Sequence, residues 1–373
     1  MKFWKQTVEN VKDFTGTSPP SIFVGKAFYP KVYVGILAPP THEESAFILD
    51  SPEIWYKRRF SIERIITQRG KLIYSRFRSD IKNPSGKLVD VIQELAMARK
   101  QTDVEIELKK NPQFRFQFDP WTSPIGNPAP VERATLTENP SIERRVDYLI
   151  SDIDIKAQNA VIALYKYGLP VSRIQKIFSS GLLGVQIQRK LVPTKWGITA
   201  TDDIIGKFLR DRIETYPQIN EVMLFRNEYI GNHYQILLIP DVYQYELIEI
   251  WHVAQKIFID SDFEPQWGKK EYASKTAGAF YAGRLAVMEY LEKIKRQASV
   301  LIIREIGSSY FAPVGIWQMR ETVRDALNKP VEKFGSLESA LKRITENLQA
   351  KEWVMNSKLV RNLKQQKKIT DFK

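Results

Sequence analysis

Cysteine is absent from this 373-residue chain, and histidine occurs only three times, as His42, His233 and His252. Without thiols there is no disulfide framework, no thiolate nucleophile, no iron–sulfur cluster and no Cys-ligated zinc. The histidines are far apart and form neither an H-x-x-x-H nor an H-E-x-x-H spacing. No zinc and no resident cofactor are therefore expected. Any metal would be held by carboxylate oxygens, which favours magnesium or manganese. Also missing is an apolar run of about 18 residues, the minimum for a bilayer-spanning helix, so no membrane partner is expected. The opening MKFWKQTVENVKDF places charges and amides where a signal peptide needs an apolar stretch, which points to an intracellular protein.

What is present is a folded chain, with 43% hydrophobic and 12% aromatic residues. At roughly 150 residues per domain, its length predicts about two domains. Lys and Arg number 56 against 43 Asp and Glu, a net charge of +13, which favours a polyanionic partner such as DNA. With DNA as the partner, the expected location is the cytoplasm, in association with the nucleoid.

The order of elements is mixed, without regular alternation of strands and helices, and predicts an α+β fold. Residues 1–16 carry Phe3, Trp4, Val8, Val11 and Phe14 at helical spacing. Strand-like pieces at 22–24 and 32–37 follow, bracketed by Pro19-Pro20 and Pro39-Pro40. Residues 111–140 hold 6 of the 20 prolines and read as a connector. Ser151 with Asp154 predicts a capped helix to about Tyr167. A strand is expected over 185–192, and a helix capped by Thr199 or Thr201 runs to Tyr216. Further strands are predicted at 221–225, 234–239, 243–251 and 299–306, with a long buried helix over 271–297. Three regions result: an α+β part at 1–130, a main core at 131–328, and a helical appendage at 329–373. The appendage carries 11 Lys or Arg against 5 Asp or Glu.

The last eight residues run from Gln366 to Lys373 and match Q-x-x-h-x-x-a through Gln366, Ile369 and Phe372. Replication and repair proteins dock on the sliding clamp PCNA through such a peptide. One 3₁₀ turn places Ile369 and Phe372 on one side to fill an apolar pocket, with Gln366 bonding beside it. Lys367 and Lys368 suit an acidic partner surface.

For DNA itself, three groups of residues carry the expected contacts. In FVGKAFYPK, Lys26 and Lys31 flank a loop where Gly25 permits close backbone approach. In PTKWGITATDD, a cation and an indole, Lys195 and Trp196, precede a helix whose first turn contains Asp202 and Asp203. The stretch from 55 to 78 interleaves aromatics with cations that include Arg58 and Arg59. Arg284, Arg304 and Arg320 are further candidates for a phosphate-binding cleft. The alternative function is a metal-dependent nuclease, for which Asp152, Asp154, Glu264, Glu289 and Glu305 are the carboxylates on offer. None of their spacings matches a nuclease motif.

Six segments carry a resemblance: SPPSIFVGKAFYPKVYVG (18–35), SDIDIKAQNAVIALY (151–165), LVPTKWGITATDD (191–203), GNHYQILLIPDVYQYELIEIW (231–251), and the pair YASKTAGAFYAGRLAVMEYLEKIKRQASVLIIREI and YFAPVGIWQMRETVRDAL within 272–327. With the terminal peptide, they make the chain resemble the archaeal Nre family of DNA-repair proteins. The resemblance implies a role in DNA-damage repair in association with PCNA. Many members of that family begin with a Cys-rich segment of zinc-finger type, which this cysteine-free sequence does not carry.

Overall fold

The structure is a computed structural model, and it describes residues 11–253 and 256–365. It shows an α+β protein of two compact units. The first runs to Ile205 and includes Ala312–Gly315; the second takes Gly206–Phe311 and the chain from Ile316 onward. The proline-rich stretch at 111–140 lies inside the first unit, and the division instead falls within the helix Thr194–Ile213.

The first unit is built on a six-stranded sheet of β1 (Asp13–Ser18), β2 (Ile22–Val24), β3 (Lys31–Ala38), β4 (Ile73–Asp80), β5 (Thr102–Leu108) and β6 (Pro128–Leu136), in the order β1-β5-β6-β4-β3-β2. Its pairs are antiparallel except β4 with β6. Strand β5 shows the pattern that drives it: Thr102, Val104, Ile106 and Leu108 point inward, while Glu105 and Glu107 face water. Gly35 of β3 lies opposite Arg76 of β4. A Cβ there would collide with the Ser75 carbonyl and come within 2.8 Å of the Arg76 Cα, so only glycine lets the strands approach.

Three sequence expectations change in this unit. Residues 13–18 form strand β1 rather than the end of a helix, because they pair along their full length with β5; residues 1–10 lie outside the described part. The predicted strand over 185–192 is a short 3₁₀ turn at Gln186–Gln188, with Ile187 92% exposed and so contributing nothing to a core. Ser151 ends a helix, Arg144–Ser151, instead of starting one. The Asp152 carboxylate then accepts the Asp154 and Ile155 N–H groups in the turn before the helix Ala157–Lys166.

The second unit has its own six-stranded sheet: β7 (Val222–Tyr229), β8 (Asn232–Ile239), β9 (Gln244–Val253), β10 (Lys256–Glu264), β11 (Ser299–Ile306) and β12 (Glu332–Phe334), in the order β10-β9-β11-β8-β7-β12. β11, the apolar run SVLIIREI, is buried along its entire length, parallel to β9 and antiparallel to β8. The helix Ala277–Ile294 packs on one face, where Phe280 meets Tyr245. Gly283 in its middle allows this: a Cβ would sit 2.8 Å from the Tyr245 hydroxyl.

The other face is covered by the segment expected to be a separate appendage. Ala340, Leu341, Ile344, Leu348, Trp353, Leu359 and Val360 form one core cluster with Leu237, Ile248, Leu301 and Ile303 of the sheet. Two sheet carboxylates hold this arm. Glu305 accepts the Gln349 and Ala350 N–H groups. Glu246 accepts the Ser357 hydroxyl and the Lys358 and Leu359 N–H groups at the start of the helix Lys358–Gln365. Gln366, Ile369 and Phe372 lie outside the described residues.

Candidate nucleic-acid interface

The β2–β3 hairpin loop, residues 25–30, projects from the first sheet and carries Lys26, Phe28 and Tyr29, all exposed. Phe28 holds φ at 67°, the left-handed region that an aromatic residue rarely adopts, and is 67% exposed. Strain spent on presenting an aromatic ring to solvent is a mark of a binding surface. Behind the loop, the Val24 N–H donates to the Thr194 hydroxyl, 3.0 Å away, and so ties β2 to the start of the helix Thr194–Ile213.

That helix begins earlier than its sequence suggests. Thr194 opens it, with Pro193 just before, so Lys195 and Trp196 occupy its first turn and Asp202 and Asp203 lie well inside it. No acidic residue occupies the first turn, where partial positive charge is greatest. The Trp196 ring packs 5.7 Å from Tyr29 of the hairpin loop. The two sequence segments singled out for phosphate and base contact, FVGKAFYPK and PTKWG, thus meet at one place.

They enclose a cavity of about 380 Å³ lined by Phe23, Lys26, Phe28, Tyr33, Arg76, Asp119 and Lys195, among others. Lys195 is 19% exposed, lies 3.3 Å from Asp119 and sits over the Trp121 ring. Burial holds its ammonium below the usual lysine range; Asp119 opposes this, while the neighbouring Lys26 charge adds to it. Arg76 stacks on Tyr33, 4.1 Å from the ring centre, and Arg78 stacks on Phe28.

A second cavity of about 270 Å³ shares Tyr74, Arg76 and Gln117 with the first, and adds Gln113, Arg115 and Phe116. Gln113, Arg115, Phe116 and Gln117 of its lining come from QFRFQF at 113–118. Gln117 exchanges backbone hydrogen bonds with Ile125, and Asn127 donates to the Arg115 carbonyl, so the segment runs extended. Alternation then sends Phe114, Phe116 and Phe118 to one side, where Phe116 stacks on Phe118. Gln113, Arg115 and Gln117 are exposed on the other.

The candidates named from sequence are therefore distributed unevenly. Lys26 and Lys195 line the cavity, with Trp196 beside it. Lys31 is exposed at the start of β3, opposite Asp80. Arg58 and Arg59 are exposed at the end of the helix Pro52–Lys57, where Arg59 donates to the Tyr56 hydroxyl, and neither lines the cavities. Arg284, Arg304 and Arg320 are 2%, 3% and 1% exposed. Arg284 is paired with Glu264, and Arg304 with Glu249 and Asn232, so these guanidinium groups are committed to the interior of the second unit. Arg76 lies in the basic stretch 55–78 expected from sequence, whereas Arg115, Gln117 and Asp119 were missed. The alternation in QFRFQF was the available signal for Arg115 and Gln117, masked by the surrounding prolines.

Four of the five carboxylates considered for a nuclease are engaged locally: Asp152 by the turn after it, Glu264 by Arg210 and Arg284, Glu289 by Arg324, and Glu305 by His252 and the arm. Among the described residues no cluster of three or more His, Asp or Glu that could hold a metal is present, and no helix is long and apolar enough to cross a membrane.

The model of the archaeal Nre N-terminal region matches residues 1–256, and that of the C-terminal region matches residues 264–372. The chain belongs to the archaeal Nre family. It is 40% identical over 343 residues to DNA repair protein NreA of Archaeoglobus fulgidus, covering 90% of this chain and 85% of that protein. It is 34% identical over 358 residues to DNA repair protein NreA of Haloferax volcanii, covering 92% and 85%. DNA repair protein NreB of Archaeoglobus fulgidus is 35% identical over 362 residues, covering 95% and 90%. No solved structure matches the chain. Both cavities fall within the N-terminal Nre match.

Proposed function

We propose that this Nre chain is a DNA-repair protein that holds DNA on the basic, aromatic groove of its first unit. The observation that carries the reading is the meeting of Lys26 with Lys195 and Arg76 beside the exposed rings of Phe28, Tyr29 and Trp196. Cations neutralise phosphates, and exposed rings stack on unpaired bases. The names of the relatives and the net charge of +13 support the same reading. DNA affinity measured at stepped salt concentration tests it: log affinity should fall linearly with log salt, and a flat response would count against DNA as the partner.

Recruitment to the sliding clamp is the second half of the proposal, and the terminal spacing of Gln366, Ile369 and Phe372 supports it. A peptide of the C-terminal residues should bind purified clamp and lose at least about tenfold in affinity with Ile369→Ala and Phe372→Ala together, as expected for anchors filling one pocket. Equal binding by the substituted peptide would remove this half and leave the groove untouched.

A further inference from the structure

The two adjoining cavities of the groove differ in chemistry and share a wall, and this says more than that the surface is basic. The larger, about 380 Å³, is the size of a site for one small ligand and far too small for a duplex. Its rings are Phe23, Phe28, Tyr33 and Tyr74; its cations are Lys26, Lys195 and Arg76; Asp119 is its carboxylate. Lys26 and Lys195 line the same cavity, so an anion held there is attracted by both charges. Asp119 lies at hydrogen-bond range of Lys195 and offsets only part of that charge.

The smaller cavity presents Gln113, Arg115 and Gln117, side chains that donate to base edges and phosphates, with Phe116 also in its lining. Arg76 belongs to both linings. It is fixed by stacking on Tyr33, with its guanidinium 4.1 Å from the ring centre. A cation shared between two base-sized cavities is placed as the phosphate joining two successive nucleotides would require.

We propose that the groove receives a single strand as two nucleotide subsites: one nucleotide beside Phe28 with its terminal phosphate on Lys26 and Lys195, the next against Gln113, Arg115 and Gln117, and the joining phosphate on Arg76. The proposal rests on the reading of this groove as the DNA site and names what that site takes, an unpaired dinucleotide step. Duplex DNA meets the protein only through its backbone or at a frayed end.

Calorimetric titration of the whole chain with 5′-phosphorylated mono-, di- and trideoxynucleotides tests this. Each stacked and phosphate-bound nucleotide should add about tenfold in affinity, so the dinucleotide is expected to bind about tenfold tighter than the mononucleotide and the trinucleotide no more than about threefold tighter again. Arg115→Gln should erase the gain from one nucleotide to two. Lys195→Gln should weaken all three ligands, and Lys342→Gln, an exposed cation of the second unit, controls for loss of charge alone. Circular dichroism confirms that each variant is folded. Affinity that climbs evenly with length, or a gain that survives Arg115→Gln, would overturn the two subsites. If the short ligands fail to bind but long DNA binds with a steep salt dependence, the subsites are wrong and the basic surface stands. If neither binds, the reading of the groove falls as well.

Discussion

Replacing Arg304 by Met is expected to lower the stability of the second unit by about 3–5 kcal/mol, the usual cost of leaving one partner of a buried ion pair alone. Arg304 projects from β11 onto Glu249 of β9, with Nη1 2.6 Å from the carboxylate, and donates from Nε and Nη2 to the Asn232 side-chain oxygen. Methionine fills comparable volume, so the loss is electrostatic rather than a cavity. Burial already pushes the Glu249 carboxyl above the usual range, with Arg304 opposing. A carboxyl raised in the folded state binds more protons folded than unfolded, so its contribution to stability falls as pH rises. The penalty of Arg304→Met should therefore be largest near neutral pH and shrink on acidification. Denaturant unfolding across that range measures it. Adding Glu249→Gln should recover a large part of the loss, and a double variant no more stable than Arg304→Met would show that the pair is not the cause.

Asp50→Asn should cost the first unit about as much, roughly 3–5 kcal/mol, because it strands two cations. The Asp50 carboxylate lies 2.7 Å from Arg69 Nη1 and 2.8 Å from Lys176 Nζ, and it accepts the Ser21 hydroxyl at 2.5 Å. Arg69 is buried and also donates to the Pro124 carbonyl, so the cluster joins three parts of the unit. Burial alone would raise this carboxyl, but Lys176, Arg69 and Ser21 outweigh it and lower it to about 2. A depressed carboxyl contributes stability above its unfolded value, here 3.8, and loses it as pH falls toward the folded value. Thermal unfolding should show the variant melting about 10 °C lower at neutral pH. That difference should persist to about pH 4 and close as pH approaches 2. A constant difference over the whole range would contradict the assigned role.

Much of the second unit was legible in the sequence. SVLIIREI carries the apolar run Val300–Ile303 because it becomes the doubly covered central strand, and the long helix is apolar on several sides because it is buried. The C-terminal arm was misplaced for a physical reason: its charge suggested detachment, whereas its apolar stripe of Leu341, Ile344, Trp353 and Leu359 decides where it packs. Arginines misled in the same way. Arg304 looks like a surface cation until strand register sets it beside Glu249, and Arg284 until helix packing sets it beside Glu264.

The groove was half legible. Lys26, Lys195 and Trp196 could be named from local chemistry, yet nothing local shows that they meet. Their convergence depends on long-range tertiary links such as Val24 to Thr194. Arg76 could not be singled out within its long basic run, and Arg115 was hidden among prolines. Their roles come from strand alternation, which assigns each a face only once the pairing is known.

The measurement that tests the central claim most directly is DNA affinity against salt for the wild type and for the double variant Lys26→Gln/Lys195→Gln. If the groove is the interface, the wild type shows a steep negative slope. Removing two phosphate contacts should then weaken binding at every salt concentration and flatten the slope by about 2. A double variant with unchanged affinity and unchanged slope would place DNA elsewhere on the protein and contradict the account.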